Sequence, residues 1–213
     1  MPTPAFPPHT LDAEGMPLWI SGLSSGDPNH CVHVVRGLDP AAALEALGAK
    51  PRLFRPCVLP SDKPGELTSL PAAALGEPAG TATLLAGRVG EWTFVYDDFA
   101  ATIPEEAAVL SAAGRVAATS MFSINADASL TYLVDGDELA WIDVDNLDLE
   151  TGLPAMPDAL RAAFEAAGTV EFDYLEPGQP DYFVCMRAIC ALADMYCTLD
   201  DLRRIPLLVT PFG

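Results

Sequence analysis

Runs of alternating apolar and polar residues, joined by tight-turn signals, constrain the fold of this 213-residue chain most strongly. The runs that predict strands cover residues 31–36, 81–89, 91–97, 116–124, 130–134 and 139–144. The second and third runs meet at Gly90, and the last two flank the dipeptide Asp135-Gly136. An Asp-Gly pair between such runs is a strong short-range signal for a two-residue hairpin. The sequence therefore predicts a largely antiparallel sheet.

Helical patterns separate these strand runs. Asp39 is predicted to cap a helix that begins at Pro40 and ends before Gly48. Residues 157–167 carry apolar side chains at positions i, i+3, i+4 and i+7, and Asp181 precedes a second helix. Sequential hairpins with helices in separate groups are typical of the α+β class. We therefore expect a single α+β domain whose sheet has about five to six strands, with helices packed on one face.

The distribution of prolines sets the expected domain boundaries. Four prolines fall within the first eight residues, so residues 1–17 are predicted to form an extended lead-in. Residues 18–213 then form one domain, with an irregular proline-rich excursion at about residues 50–80. The N-terminus lacks the basic and apolar regions of a secretory signal, and the five cysteines include no Cys-x-x-Cys pair. We expect buried, reduced cysteines and a cytoplasmic location.

Net charge excludes some functions and suggests another. The chain has 11 Lys and Arg against 30 Asp and Glu, a formal charge of −19, so a phosphate backbone would repel it and nucleic-acid binding is not expected. It has no apolar run of 18 residues, so membrane insertion is not expected either. Residues 127–181 contain fourteen acids and one base, Arg161, for a net charge of −13. One edge of the fold should therefore carry a negative field that steers a basic partner.

The leading hypothesis is accordingly an acidic, non-enzymatic protein-binding module that engages a basic partner protein, as an immunity or antitoxin-like protein does. The predicted partner-binding residues are the acids Asp135, Asp137, Glu138, Asp143, Asp145 and Asp148. The alternative role of the charge is to keep the protein soluble.

A second hypothesis rests on aromatic side chains and describes a small-molecule binder or an enzyme. Trp92, Phe94 and Tyr96 alternate along one predicted strand, and with Tyr132 and Trp141 they could line a ligand pocket. The same residues could instead form the core, because alternating aromatics on a sheet usually pack inward. A deep, partly polar cavity beside them would favour the pocket.

We predict no catalytic residues, no metal and no cofactor, because no motif is complete. Residues 22–26 match G-x-S-x-G, but turn residues follow them and no histidine lies well downstream, as that nucleophile motif requires. Phosphate-binding loops are absent. Asp143 and Asp145 begin like a calcium loop, but the EF-hand pattern fails after these two ligands. A weak, irregular calcium site near Asp143 stays an open alternative.

Six segments occur in an order that resembles a known family. They are HVVRGLDPAAALEALGA (33–49), GEWTFVYDD (90–98), LSAAGRVAATS (110–120), LTYLVDGDELAWID (130–143), PDALRAAFEAAG (157–168) and CTLDDLRRIPL (197–207). The family is a group of actinobacterial proteins classed only as a domain of unknown function. Its pattern combines Arg-Gly-Leu before the first helix, a Gly-Gly-Trp hairpin and an aromatic strand with an Asp-Gly turn; here the hairpin reads Gly90-Glu91-Trp92. The resemblance spans the chain from about residue 19 and implies no activity, cofactor or catalytic residue.

Overall fold

The computed structural model describes residues 6–26, 28–102, 107–125, 127–144, 156–168 and 181–213. In these residues one eight-stranded antiparallel sheet is combined with six α-helices and three short 3₁₀ helices. The strands are β1 (His30–Arg36), β2 (Arg55–Cys57), β3 (Thr83–Val89), β4 (Trp92–Asp97), β5 (Val116–Phe122), β6 (Ala128–Val134), β7 (Asp137–Asp143) and β8 (Leu207–Pro211). The helices are α1 (Leu18–Leu23), α2 (Pro40–Ala46), α3 (Leu70–Leu75), α4 (Asp158–Ala167), α5 (Val184–Leu192) and α6 (Leu199–Leu202). The 3₁₀ helices cover Pro8–Thr10, Pro51–Leu53 and Ala108–Ser111.

The strand order is β2-β8-β3-β4-β1-β5-β6-β7, so β2 and β7 form the two edges of the sheet among the described residues. The α+β class and the antiparallel sheet are confirmed, but the sheet has eight strands instead of the five to six expected. The two strands that lie outside the six predicted runs are β2 and β8. β2 has only three residues, one of them Pro56, and β8 ends at Pro211. Proline is a poor strand residue, and both strands pair with distant parts of the chain, so no local turn signal marks them.

Both predicted hairpins form, and their turns have the expected backbone. Val89 pairs with Trp92 across a two-residue loop whose first residue, Gly90, has φ of 57°. Val134 pairs with Asp137 in the same way, and the turn residues Asp135 and Gly136 have φ of 51° and 87°. The Asp135-Gly136 turn is therefore of type I′, which is defined by two consecutive positive φ angles. The twist of this turn type matches that of the flanking strands. The Asp-Gly signal therefore fixes the β6–β7 hairpin.

Capping side chains set the helix starts that the sequence predicts. The Asp39 carboxylate accepts the backbone N–H of Ala42 at 3.0 Å at the start of α2. Thr198 and Asp201 form a reciprocal capping box around α6. Each contact supplies a partner to a backbone group that the first helical turn leaves unpaired.

Helices pack on both faces of the sheet, which corrects the expectation of a single covered face. Val32 and Val34 of β1 join the larger core, which includes the buried residues of α1, α4 and α5. Their neighbour Val35 points to the opposite face and joins a smaller core with Ala43 and Leu44 of α2. Strand β1 is buried at six consecutive positions, the pattern of a strand covered on both sides. The sequence of β1 shows the same feature, because its first six residues are Val, Cys or His with no charged residue among them. Such a run is inconsistent with an open sheet face at β1.

The segments predicted to be irregular contribute to the packing. The 50–80 stretch contains β2 and α3, and the ammonium of Lys63 donates to the carbonyls of Ser21 and Ser24 at the end of α1. Near the N-terminus, Phe6 is 2 % exposed and its ring meets that of Tyr196 edge-on at 4.9 Å. No helix among the described residues has both the length and the apolar content needed to cross a bilayer.

Candidate functional site at the sheet edge

Four of the six acids predicted to bind a partner lie in the described part of the chain. Asp137, Glu138 and Asp143 belong to the edge strand β7, and Asp135 lies in the turn before it. Asp145 and Asp148 lie outside the described residues, as does most of the segment proposed for a calcium site. These four acids therefore lie together at one edge of the sheet.

The carboxylate of Asp135 has a structural partner in the backbone before β5. It accepts the backbone N–H of Gly114 at 2.6 Å, while the backbone N–H of Asp135 donates to the carbonyl of Arg115 at 3.0 Å. These contacts tie the β6–β7 turn to the start of β5. Asp137 and Glu138 are exposed and form no ion pair with any described residue.

A β-bulge reshapes the edge strand. Tyr132 pairs with Ala140 and the next residue, Leu133, pairs with Glu138, so Leu139 is an extra residue in β7. The bulge leaves the Leu139 side chain 51 % exposed. It also places Glu138 and Trp141 on the same face of the sheet although they are three positions apart, since strict alternation is interrupted.

Trp141 lies on this face between two acids. It pairs with Thr131, while Glu138 pairs with Leu133 and Asp143 pairs with Ser129. The indole is 57 % exposed, although an aromatic ring of this size usually buries most of its surface. Around it is an open groove of about 650 Å³, with Met121, Thr131 and Leu133 in its floor and Asp127, Glu138 and Asp143 as its acids. We call this surface the edge groove.

A buried polar network lies beside the groove, toward the centre of the sheet. Thr102 donates its hydroxyl to Asp97 at 2.5 Å and therefore accepts a hydrogen bond, of 2.8 Å, from Nε2 of His33. The other ring nitrogen, Nδ1, then accepts the hydroxyl of Thr119 at 2.8 Å. Burial lowers the pKa of His33 to about 3, so the ring is neutral near pH 7. Thr119 pairs with Thr131 in the floor of the groove, so the network holds that floor in place.

The same network brings a thiol close to a histidine and a carboxylate, but not as a nucleophilic site. Cys31, His33 and Asp97 are all fully buried. Burial, together with the charge of Asp97, raises the pKa of Cys31 well above its usual range, so the thiol stays protonated. A protonated, buried thiol beside a neutral histidine is therefore not an activated nucleophile. The sequence signal for this network was the shared strand face of Cys31 and His33.

The five aromatic residues predicted to line one pocket are divided between three environments. Phe94 and Tyr96 are fully buried and pack against Trp19, with ring centroids 5.5 and 6.1 Å away. Trp141 lies in the edge groove, on the opposite face from these rings. Only Trp92 and Tyr132 share a groove, which also contains Tyr196 and lies between the sheet and α4.

A model of a protein family matches residues 18–195, from the first residue of α1 to just beyond α5. The chain belongs to the family of unknown function DUF6461. The matched span includes the edge groove and both faces of the central strands, whereas α6 and β8 follow it. The resemblance extended to Leu207, so its last segment lies outside the match. Neither the curated proteins nor the solved structures yield a match to this chain.

Proposed function

We propose that this DUF6461 protein is a non-enzymatic binding module that engages a basic partner protein through the edge groove and β7. The observation that carries the proposal is Trp141, a half-exposed indole on an edge strand with an acid on either side. An exposed tryptophan in a groove is the kind of residue that anchors protein interfaces. The flanking acids would form a polar rim that attracts Lys and Arg.

The strand edge offers a second mode of contact. In the described part of the chain β7 has β6 on one side and no strand on the other, so its outer backbone groups are available to an extended segment of a partner. Strand addition of this kind uses main-chain hydrogen bonds for affinity and side-chain pockets for specificity. Trp141 would then contact a side chain of the added strand.

The acids also select against an unwanted partner, a second copy of this chain. Exposed strand edges promote aggregation, and natural proteins protect them with charges and bulges. Here Asp137 and Glu138 supply the charge and Leu139 the bulge. At −19 per chain, two copies repel each other, whereas a basic segment is attracted. The edge is thus protected from self-pairing but open to a partner of opposite charge.

One biological form of such binding is inhibition of a basic enzyme, as immunity and antitoxin proteins perform. All five cysteines are free thiols, and three of them are buried. We propose on this basis that the protein acts in the reducing cytoplasm.

Affinity capture with matched bait variants tests the proposal. Tagged wild-type protein is exposed to lysate of its host at about 50 and about 500 mM salt, because screening should weaken a charge-steered complex. We expect a basic protein to be retained at low salt and lost at high salt. Trp141→Ala should weaken its binding by roughly thirtyfold or more, as loss of an interface anchor does. Glu138→Lys with Asp143→Lys should abolish it.

Two controls separate the edge groove from the general charge and surface of the protein. Glu45→Lys reverses an exposed acid on α2, and Val58→Ala truncates an exposed apolar side chain beyond β2. Both should retain the partner at the wild-type level. The proposal fails if nothing basic is captured, or if the edge and control variants capture the same proteins equally well.

A further inference from the structure

A second groove lies on the opposite face of the sheet, between the strands and helix α4. Its volume is about 490 Å³, within the range of small-molecule sites. Trp92 and Tyr132 rise from the sheet, and Tyr196, which follows α5, closes one side. We call it the aromatic groove. No described residue of the edge groove belongs to it.

The wall of the aromatic groove is made by alanines of α4. Ala159, Ala162, Ala163 and Ala166 follow the i, i+3, i+4, i+7 spacing of one helix face, and all four line the groove. Their side chains end at Cβ, so the helix face is nearly flat and leaves an open slot opposite the aromatic rings. A slot between a flat wall and aromatic rings fits a planar ligand.

The hydroxyl of Tyr132 is a second feature of the groove, independent of the alanine wall. Tyr132 is only 6 % exposed, and its hydroxyl forms no hydrogen bond with any described residue, although the residue lines the groove. The hydroxyl oxygen keeps some accessible surface, so a water molecule or a ligand in the groove can be its partner. Burial raises the pKa of Tyr132, so the hydroxyl stays protonated and can donate. The partner of this donor would come from the groove itself.

The charges at the groove favour a neutral ligand. Arg36 and Glu91 lie at its rim, and their side chains pair with each other at 2.5 Å. The described lining contains no other charged side chain, so the rim has no net charge. Around it the protein carries −19, which disfavours an anion. The hydroxyl of Tyr132 and the indole N–H of Trp92 both donate, so the ligand should carry acceptors.

We propose that the aromatic groove binds a neutral, planar ring compound that bears hydrogen-bond acceptors such as ring carbonyls. The ring would lie between the α4 alanines and the aromatic side chains, and a carbonyl would accept the hydroxyl of Tyr132. This site is separate from the proposed partner-binding edge.

Titration with coumarin and with quinolin-2-one, two neutral planar lactone and lactam probes, tests the proposal by NMR. The protein has three tryptophans, whose indole N–H signals are assigned with single Trp→Phe variants. We expect a saturable shift of the Trp92 signal, with a Kd on the order of 1 mM as for small fragments, and no shift of Trp141. Tyr132→Phe keeps the ring but removes the donor and should weaken binding roughly three- to tenfold.

Two further variants test the slot itself, and one charged probe tests the preference for a neutral ligand. Ala162→Leu projects a larger side chain into the slot and should abolish the shift, whereas Ala41→Leu on α2 should not. Coumarin-3-carboxylate has the same ring system with a negative charge and should bind at least tenfold more weakly. The proposal is overturned if neither neutral probe shifts Trp92 saturably, if Tyr132→Phe and Ala162→Leu bind like wild type, or if the carboxylate binds equally well.

Discussion

Replacing Arg187 with alanine should destabilise the protein by about 3–5 kcal/mol, the cost of removing one partner of a buried ion pair. Arg187 of α5 is fully buried and forms an ion pair with Asp181, which is 3 % exposed. Its guanidinium also donates to the carbonyl of Ala167 at 2.9 Å and to that of Gly15 at 2.8 Å. The side chain thus joins α5 to the end of α4 and to the N-terminal segment. Its loss leaves a buried carboxylate and two carbonyls without this donor.

Urea unfolding, followed by far-UV circular dichroism, measures this effect. Arg36→Ala removes the exposed ion pair with Glu91 and serves as the control, with an expected loss below about 1 kcal/mol. The double variant Arg187→Met with Asp181→Leu removes both buried charges and should recover part of the stability lost in Arg187→Ala. If Arg187→Ala unfolds at the same urea concentration as Arg36→Ala, the ion pair does not hold these elements together.

Local signals explain which parts of the fold could be predicted from the sequence. Strand alternation and the turn residues Gly90 and Asp135-Gly136 act within a few residues, so both hairpins could be predicted. Strand β8 has no such signal, because it pairs with β2 and β3, more than a hundred residues away along the chain. The second covered face is indicated only by the continuous run of burial-prone residues in β1, because strand alternation by itself predicts one buried face.

The residues of the candidate sites divide in the same way, into those that local signals group correctly and those whose position depends on long-range strand pairing. Asp137, Glu138 and Asp143 could be grouped because they belong to one strand. Trp141 was grouped with Trp92, but the two side chains lie on opposite faces of the sheet. The face of a strand residue depends on its register, and the bulge at Leu139 shifts that register within β7. A bulge follows from the pairing of two complete strands, so residue types alone did not predict it.

His33 should make the protein lose stability as the pH falls below about 6.5. Its unfolded pKa is near 6.5, and burial lowers the native pKa to about 3. Between these values the unfolded chain binds a proton that the native state does not, so the unfolded state gains stability as the pH decreases. Protonation would also oppose the hydrogen bond that Thr119 donates to Nδ1. The expected loss from His33 between about pH 6.5 and 4.5 is about 2 kcal/mol.

Comparison with His33→Gln isolates this contribution, since glutamine does not titrate and the other groups are common to both proteins. Asp98 has the opposite effect: burial raises its pKa, so protonation at low pH favours the native state. This contribution cancels in the difference between the two proteins. Urea unfolding at about pH 7.5, 6.5, 5.5 and 4.5 should show a steeper decline for wild type than for the variant. Parallel declines would mean that His33 takes up a proton in the native state, and the neutral ring that we assign to the network beside the edge groove would be wrong.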